Sequence, residues 1–216
     1  MKLGSNHTTV YRHLQQLGKV PKLGKRVPHE LSEVNRKSRV EICYFLHIRD
    51  LTSPFLDRFV TGDEKWIFYK NVKVLLSIWW DCKGIIHFEL LPTNATINAQ
   101  VYCQQLERLN AALKKKRPVL VNGRGVVFHQ DNARPHTAKI TSQKIEELGW
   151  EKIPHPPYSP DLAPLDYHLF HSLQNHLDGL THTSHEEVET DISEFFSSKP
   201  KEFFSRGIKK LDGEKS

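Results

Sequence analysis

Three apolar runs set close together leave this chain little choice of architecture. Residues 65–70 (KWIFYK), 73–80 (KVLLSIWW) and 84–91 (GIIHFELL) are short and rich in β-branched and aromatic side chains, which suit a pleated surface. Asn71 lies in the first gap and Asp81-Cys82-Lys83 fills the second, so the three runs read as an antiparallel meander. A helical pattern follows over 97–116, then a strand at 125–130 (GVVFHQ). A helix over 136–148 ends at Gly149, and a short strand spans 150–154. Strands first joined as hairpins and then separated by helices imply an α/β fold, a mixed sheet with helices on its faces.

The flanks are of a different kind. In residues 5–19, Val10, Leu14 and Leu17 fall at i, i+4 and i+7, one stripe of a short helix that Gly18 would stop. Its other face carries His7, Thr9, Tyr11, Arg12, His13 and Gln16, which suits a DNA-recognition helix or an ordinary amphipathic surface helix. Residues 19–29 set Pro21, Gly24 and Pro28 among Lys19, Lys22, Lys25 and Arg26. That composition reads as an extended basic linker, able to lie along phosphates or to act as a solvated hinge. Helical periodicity resumes over 30–49 through Val34, Val40, Cys43, Tyr44 and Ile48. Residues 154–164 (PHPPYSPDLAP) hold five of the 12 prolines, a density that leaves a stiff loop. A helix begins after Pro164, and two more helical patterns cover 185–197 and 200–211. The expected division is 1–18, a recognition-helix remnant; 19–55, linker and connecting helix; and 56–216, the α/β unit.

Bulk properties exclude several classes. No apolar run approaches the ~20 residues of a membrane span. The start, Met1 to Ser5, lacks the apolar stretch of a signal peptide. Cys43, Cys82 and Cys103 are widely spaced, which argues against a zinc ribbon or a disulfide framework and for a reducing compartment. A net charge of +6 is compatible with a polyanionic partner.

Three aspartates stand where such a sheet could gather them. Asp63 opens the first strand, Asp131 follows the strand at 125–130, and Asp166 opens the helix after the proline loop. Each has a plain structural role available, in a turn, a loop cap or a helix N-terminus. Together, three converging carboxylates repel one another and favour hard cations such as Mg²⁺ or Mn²⁺. A pair of such ions ~3.5–4 Å apart is the arrangement that serves phosphodiester chemistry.

The stretches VTGDEKWIFY, KVLLSIWWDCKG, HQDNARPHTA and PHPPYSPDLAPLDYHLF resemble the mariner family of transposases, and 34 residues lie between Asp131 and Asp166, the family's spacing. VYRHLQQLGKVPKLGKRVPHELSE resembles the end of the family's second helix-turn-helix, its linker and its WVPHEL motif. The resemblance implies an RNase H-like sheet of order 3-2-1-4-5 and a nuclear enzyme that cuts and rejoins DNA at transposon inverted repeats. It implies two Mg²⁺ or Mn²⁺ ions on Asp63, Asp131 and Asp166. It implies DNA contacts from Thr9, Arg12, Lys19, Lys22, Lys25 and Arg26, and places Arg134 and His136 near DNA or the second ligand, Asp131, unless they simply orient the helix start after it; His155, Tyr158 and Ser159 either line the DNA path or pack the proline loop. The chain also departs from the family. Most of the DNA-binding region is absent, and Arg26 replaces the Trp before VPHEL. Tyr69-Lys70-Asn71 runs directly into KVLLSIWW where the family carries a clamp that grips the second subunit of its homodimer. A relic or domesticated DNA-binding protein without cleavage is therefore the alternative expectation. Family members also occur fused to a SET methyltransferase, of which no segment is present here.

Overall fold

A computed structural model of the chain describes residues 21–22, 25–26, 30–70, 72–93 and 95–212. Five strands form one sheet: β1 (Phe59–Tyr69), β2 (Val72–Asp81), β3 (Gly84–Leu90), β4 (Val127–His129) and β5 (Glu151–Lys152). Their order is β3-β2-β1-β4-β5, as the resemblance implied. β1 pairs antiparallel with β2, and β2 with β3. β4 runs parallel to both β1 and β5. The β1–β2 connection is closed by a tight turn in which Lys70 takes φ 43°.

β2 explains why KVLLSIWW reads as unbroken apolar sequence. Successive strand side chains point to opposite faces, and here both faces are covered. On one face Ile78 and Trp80 pack with Phe59, Leu165, Leu173, Ile192 and Phe204. On the other, Trp79 packs with Val60, Tyr102, Leu106, Leu109 and Phe128. Each fully buried large side chain contributes about 1.5–3 kcal/mol, so these two layers dominate the stability of the sheet.

The second layer is supplied by α2 (Ala99–Lys116), whose Asn98 cap accepts the Val101 N–H at 2.9 Å. The first comes from α5 (Phe170–Leu177), α6 (His185–Ser198) and α7 (Lys201–Lys209). The long helix α1 (Glu33–Thr52), capped by Ser32, buries none of its residues. Polar pairs hold it to the α/β unit: Arg39 reaches both oxygens of Asp161 at 2.8 and 2.7 Å, and Arg49 reaches Glu151 at 2.7 Å.

Several boundaries differ from the sequence-based expectation. β1 starts at Phe59 rather than 65, because Phe59, Val60 and Thr61 pair with β4. Asp63 is therefore inside the strand, not at its start. The expected strands at 125–130 and 150–154 shorten to three and two residues. The helix expected over 136–148 is broken at Ala138, which takes ψ 147°, into α3 (Arg134–Thr137) and α4 (Lys139–Glu147). The proline loop contains one 3₁₀ turn, Pro160–Leu162, and the chain after Pro164 enters a π-helical turn, Leu165–Leu169, before α5. In the basic segment, Pro21–Lys22 pairs antiparallel with Lys25–Arg26, so the backbone there folds back on itself. The recognition-helix remnant at 1–18, with Thr9 and Arg12, and Lys19 lie outside the described residues. Among the described residues, no helix is long and apolar enough to cross a membrane.

Candidate active site

Pairing places the first two aspartates together. β1 and β4 run parallel with Thr61 opposite His129, and two further residues along each chain are Asp63 and Asp131. Asp131 lies just past β4, where its Oδ1 accepts the Ala133 N–H at 2.9 Å and so shapes the entry to α3. Asp166 is the second residue of the π-helical turn, which packs against β1. Burial, then the charges of Glu64, Asp166 and Asp131, push the Asp63 carboxyl well above the usual carboxylate range. Asp131 and Asp166 therefore both lie within electrostatic reach of Asp63. Among the described residues they are not closed into a ready-made group of three metal-holding side chains.

Asp131 behaves differently. Burial would raise it, but the hydrogen bond and charge of His136, with the Ala133 N–H, hold it below its ordinary value. His136 is fully buried, with Nδ1 2.5 Å from Asp131 Oδ1. Its Nε2 lies 3.3 Å from Glu64 Oε1 and 3.2 Å from Oε2. Burial alone would depress this imidazole, yet the two carboxylates hold its pKa at about 10. His136, expected near DNA or near the second ligand, lies against Asp131 and is enclosed behind it. Arg134, at the start of α3, is exposed and remains accessible.

A second histidine pair flanks the site. Thr61 Oγ1 and His129 Nδ1 are 2.9 Å apart, and His129 Nε2 is 3.1 Å from His155 Nδ1. Burial, then the neighbouring His155, pushes His129 down to about 3, so it is neutral at physiological pH. The Asn132 amide donates to the His155 carbonyl at 2.7 Å, tying the loop after β4 to the proline loop. Between them lies a groove of about 420 Å³ lined by Asp131, Asn132, His155, Tyr158, Ser159 and Asp166. Lys22, Lys25 and Arg26 are placed by backbone only. Sequence reasoning missed Glu64 and His129. Strand alternation was the one signal for Glu64, since a side chain next to Asp63 must point to the other face.

A mixed sheet of this order, with Asp131 just past the end of β4 and Asp63 inside the neighbouring β1, defines the RNase H-like class of catalytic domains, and the comparisons specify it further. Residues 68–122 match a family model described as a transposase partial DDE domain. The chain is 40% identical over 235 residues to the mariner Mos1 transposase of Drosophila mauritiana, taking in 97% of this chain and 68% of that protein. It is 42% identical over 234 residues to the human histone-lysine N-methyltransferase SETMAR, taking in 97% of this chain and 34% of that protein. Among solved structures, the Mos1 catalytic domain with raltegravir and Mn superposes with a TM-score of 0.84 at 46% identity, covering 86% of this chain and 93% of that one. The Mos1 paired-end complex with Mn also gives 0.84, at 40% identity, over 98% of this chain and 69% of that one. The chain belongs to the mariner family of transposases and corresponds to the catalytic core. It spans about a third of SETMAR and about two thirds of Mos1. Since 97% of 216 residues is about 210, some two dozen of the 234 aligned positions have no counterpart here.

Proposed function

We propose that this chain cuts DNA strands and joins them to new sites at transposon ends, with divalent ions held by Asp63, Asp131 and Asp166. The observation that supports the reading is the parallel register ending at Thr61 opposite His129, two residues before Asp63 and Asp131, with the Asp131 charge acting on Asp63. The donor set fits: these are hard oxygen ligands suited to Mg²⁺ or Mn²⁺, and Asp63 is crowded by three other carboxylates whose repulsion a cation would relieve. When bound, two such ions would ready a water or a 3′-hydroxyl and stabilise the departing oxyanion.

The chain's own residues supply the frame. Asp131 is oriented by His136 and by the Ala133 N–H. Exposed Asn132 lines the groove and offers polar groups toward a DNA backbone, Ser159 is buried with its hydroxyl donating to the Pro157 carbonyl at 3.0 Å and so shapes the loop, and Tyr158, two-thirds exposed, stands at the rim. Exposed Arg134 neutralises phosphate beside the groove, and Thr9, Arg12, Lys19, Lys22, Lys25 and Arg26 extend the contact along the duplex. The division into 1–18, 19–55 and 56–216 gives the recognition remnant, the linker and the catalytic unit, and substrate chemistry of this kind places the protein in the nucleus. Solved Mos1 structures with Mn, with Mg and in paired-end complexes support the same reading by kinship. The second reading, a DNA-binding relic, draws on the positions without counterpart here, because a lost clamp weakens pairing of two subunits on DNA ends.

A nicking assay on supercoiled plasmid separates the two. Millimolar Mn²⁺ converts plasmid to nicked circles, EDTA stops the conversion, and the ion raises the melting temperature of the protein by binding only the folded state. DNA binding without any Mn²⁺-stimulated nicking leaves the relic reading in place.

A further inference from the structure

Asp131 is engaged through one oxygen. Oδ1 takes both the Ala133 N–H and the His136 ring, while Oδ2 has no hydrogen bond from the described residues. The ring that engages it is itself immobilised. Tyr102 packs against it with ring centroids 4.2 Å apart, and the Gln130 amide donates to the His136 carbonyl at 2.7 Å. Gln130 in turn accepts from the Tyr102 hydroxyl at 2.8 Å. The far nitrogen of the imidazole faces both oxygens of Glu64, which is largely buried. Rotating the ring about its bond to the chain would break the contacts at both nitrogens together. The orientation of Asp131 therefore follows from where Glu64 stands.

Glu64 comes from β1, immediately after Asp63. Because neighbouring strand residues point to opposite faces, β1 delivers Asp63 to the groove side and Glu64 to the side of Tyr102. We propose that Glu64, acting through His136, is a positioning residue that keeps Asp131 Oδ1 occupied and leaves Oδ2 as the single oxygen offered to a divalent cation. The inference rests on the reading of the three aspartates as the metal site. Carboxylate partners behind a ligand restrict its rotation, and their loss typically weakens metal binding 10–100-fold.

The test uses the full chain and Mn²⁺ alone, by calorimetry without DNA, beside nuclear magnetic resonance of the histidine ring protons in metal-free protein. The wild type shows an exchange-protected, downfield His136 Nδ1 proton, as a short hydrogen bond to a carboxylate requires. Glu64→Gln keeps an acceptor for Nε2–H, so it retains that resonance and binds Mn²⁺ within about threefold of wild type, whereas Glu64→Ala loses the resonance and binds about tenfold more weakly. Should the alanine variant fail to fold, Glu64→Met, of similar length and without an acceptor, carries the same expectation. The proposal is overturned if a folded Glu64→Ala or Glu64→Met binds Mn²⁺ as the wild type does while Asp131→Ala abolishes binding. It is equally overturned if the glutamine variant loses as much as the alanine one, since charge rather than anchoring would then be at work. A wild type that binds no Mn²⁺ brings down the metal-site reading itself, and the positioning role with it.

Discussion

Replacing Asp131 or Asp166 by alanine should abolish Mn²⁺-dependent nicking, by about 10³-fold or more, equivalent to at least ~4 kcal/mol of lost transition-state stabilisation. In the proposed site both substitutions remove a hard oxygen ligand near the C-terminal end of β4, but their effects on folding should differ. Asp131→Ala strips His136 of its partner at Nδ1 and leaves a buried, charged ring with Glu64 alone. An unsatisfied buried group of this kind costs about 1–3 kcal/mol. Each variant also removes one of the three charges that crowd Asp63, but Asp166→Ala does so without stripping His136 of its partner. Its melting temperature without metal should therefore exceed that of Asp131→Ala. Nicking rates on plasmid and thermal unfolding of the two variants check both statements. Nicking at the wild-type rate by either variant would refute its role as a ligand.

Gly62→Ala should be the most damaging single-methyl change in the sheet. Gly62 lies opposite Trp79 in the β1–β2 ladder, and a Cβ on it would sit 2.1 Å from Trp79 Cδ1 and 2.2 Å from Nε1. The indole cannot retreat, being fully buried and packed against His87 and Tyr102 at centroid distances of 5.9 and 6.4 Å. Overpacking of a filled core costs typically 1–3 kcal/mol, and the rigidity here argues for about 3. At 2–4 °C per kcal/mol for a chain of this size, the melting temperature should fall by roughly 10 °C. Because Asp63 is the next residue, folded protein should also nick more slowly. A melting temperature unchanged by the substitution would show that Trp79 can move, against the packing described above.

The same position shows where sequence reading stops. β2 and β3 were legible almost residue by residue, β2 because a strand buried on both faces reads as a nearly unbroken apolar run and β3 because its β-branched and aromatic residues follow a short polar turn. Thr61-Gly62-Asp63 was not, since Gly and Asp are poor strand formers and the segment joins the sheet through partners distant in sequence: Trp80, Trp79 and Ile78 on one side, and, for Thr61, β4 on the other. The need for glycine at 62 exists only because Trp79 folds across it. The placement of Asp131 two residues beyond β4 was close to the expectation, whereas strand order came from the resemblance and not from pattern. His136 was left between DNA and the second ligand because sequence gives neighbours along the chain but not depth. Its burial between Asp131 and Glu64 depends on α3 turning inward after Asp131, and nothing local in HQDNARPHTA announces that.

Anomalous diffraction from crystals of the chain grown in millimolar Mn²⁺ would test the central claim most directly. The expected map has Mn²⁺ beside the C-terminal end of β4, bonded to carboxylate oxygens of Asp63, Asp131 and Asp166. Saturating Mn²⁺ that leaves these three side chains unligated, or that binds only elsewhere, would contradict it.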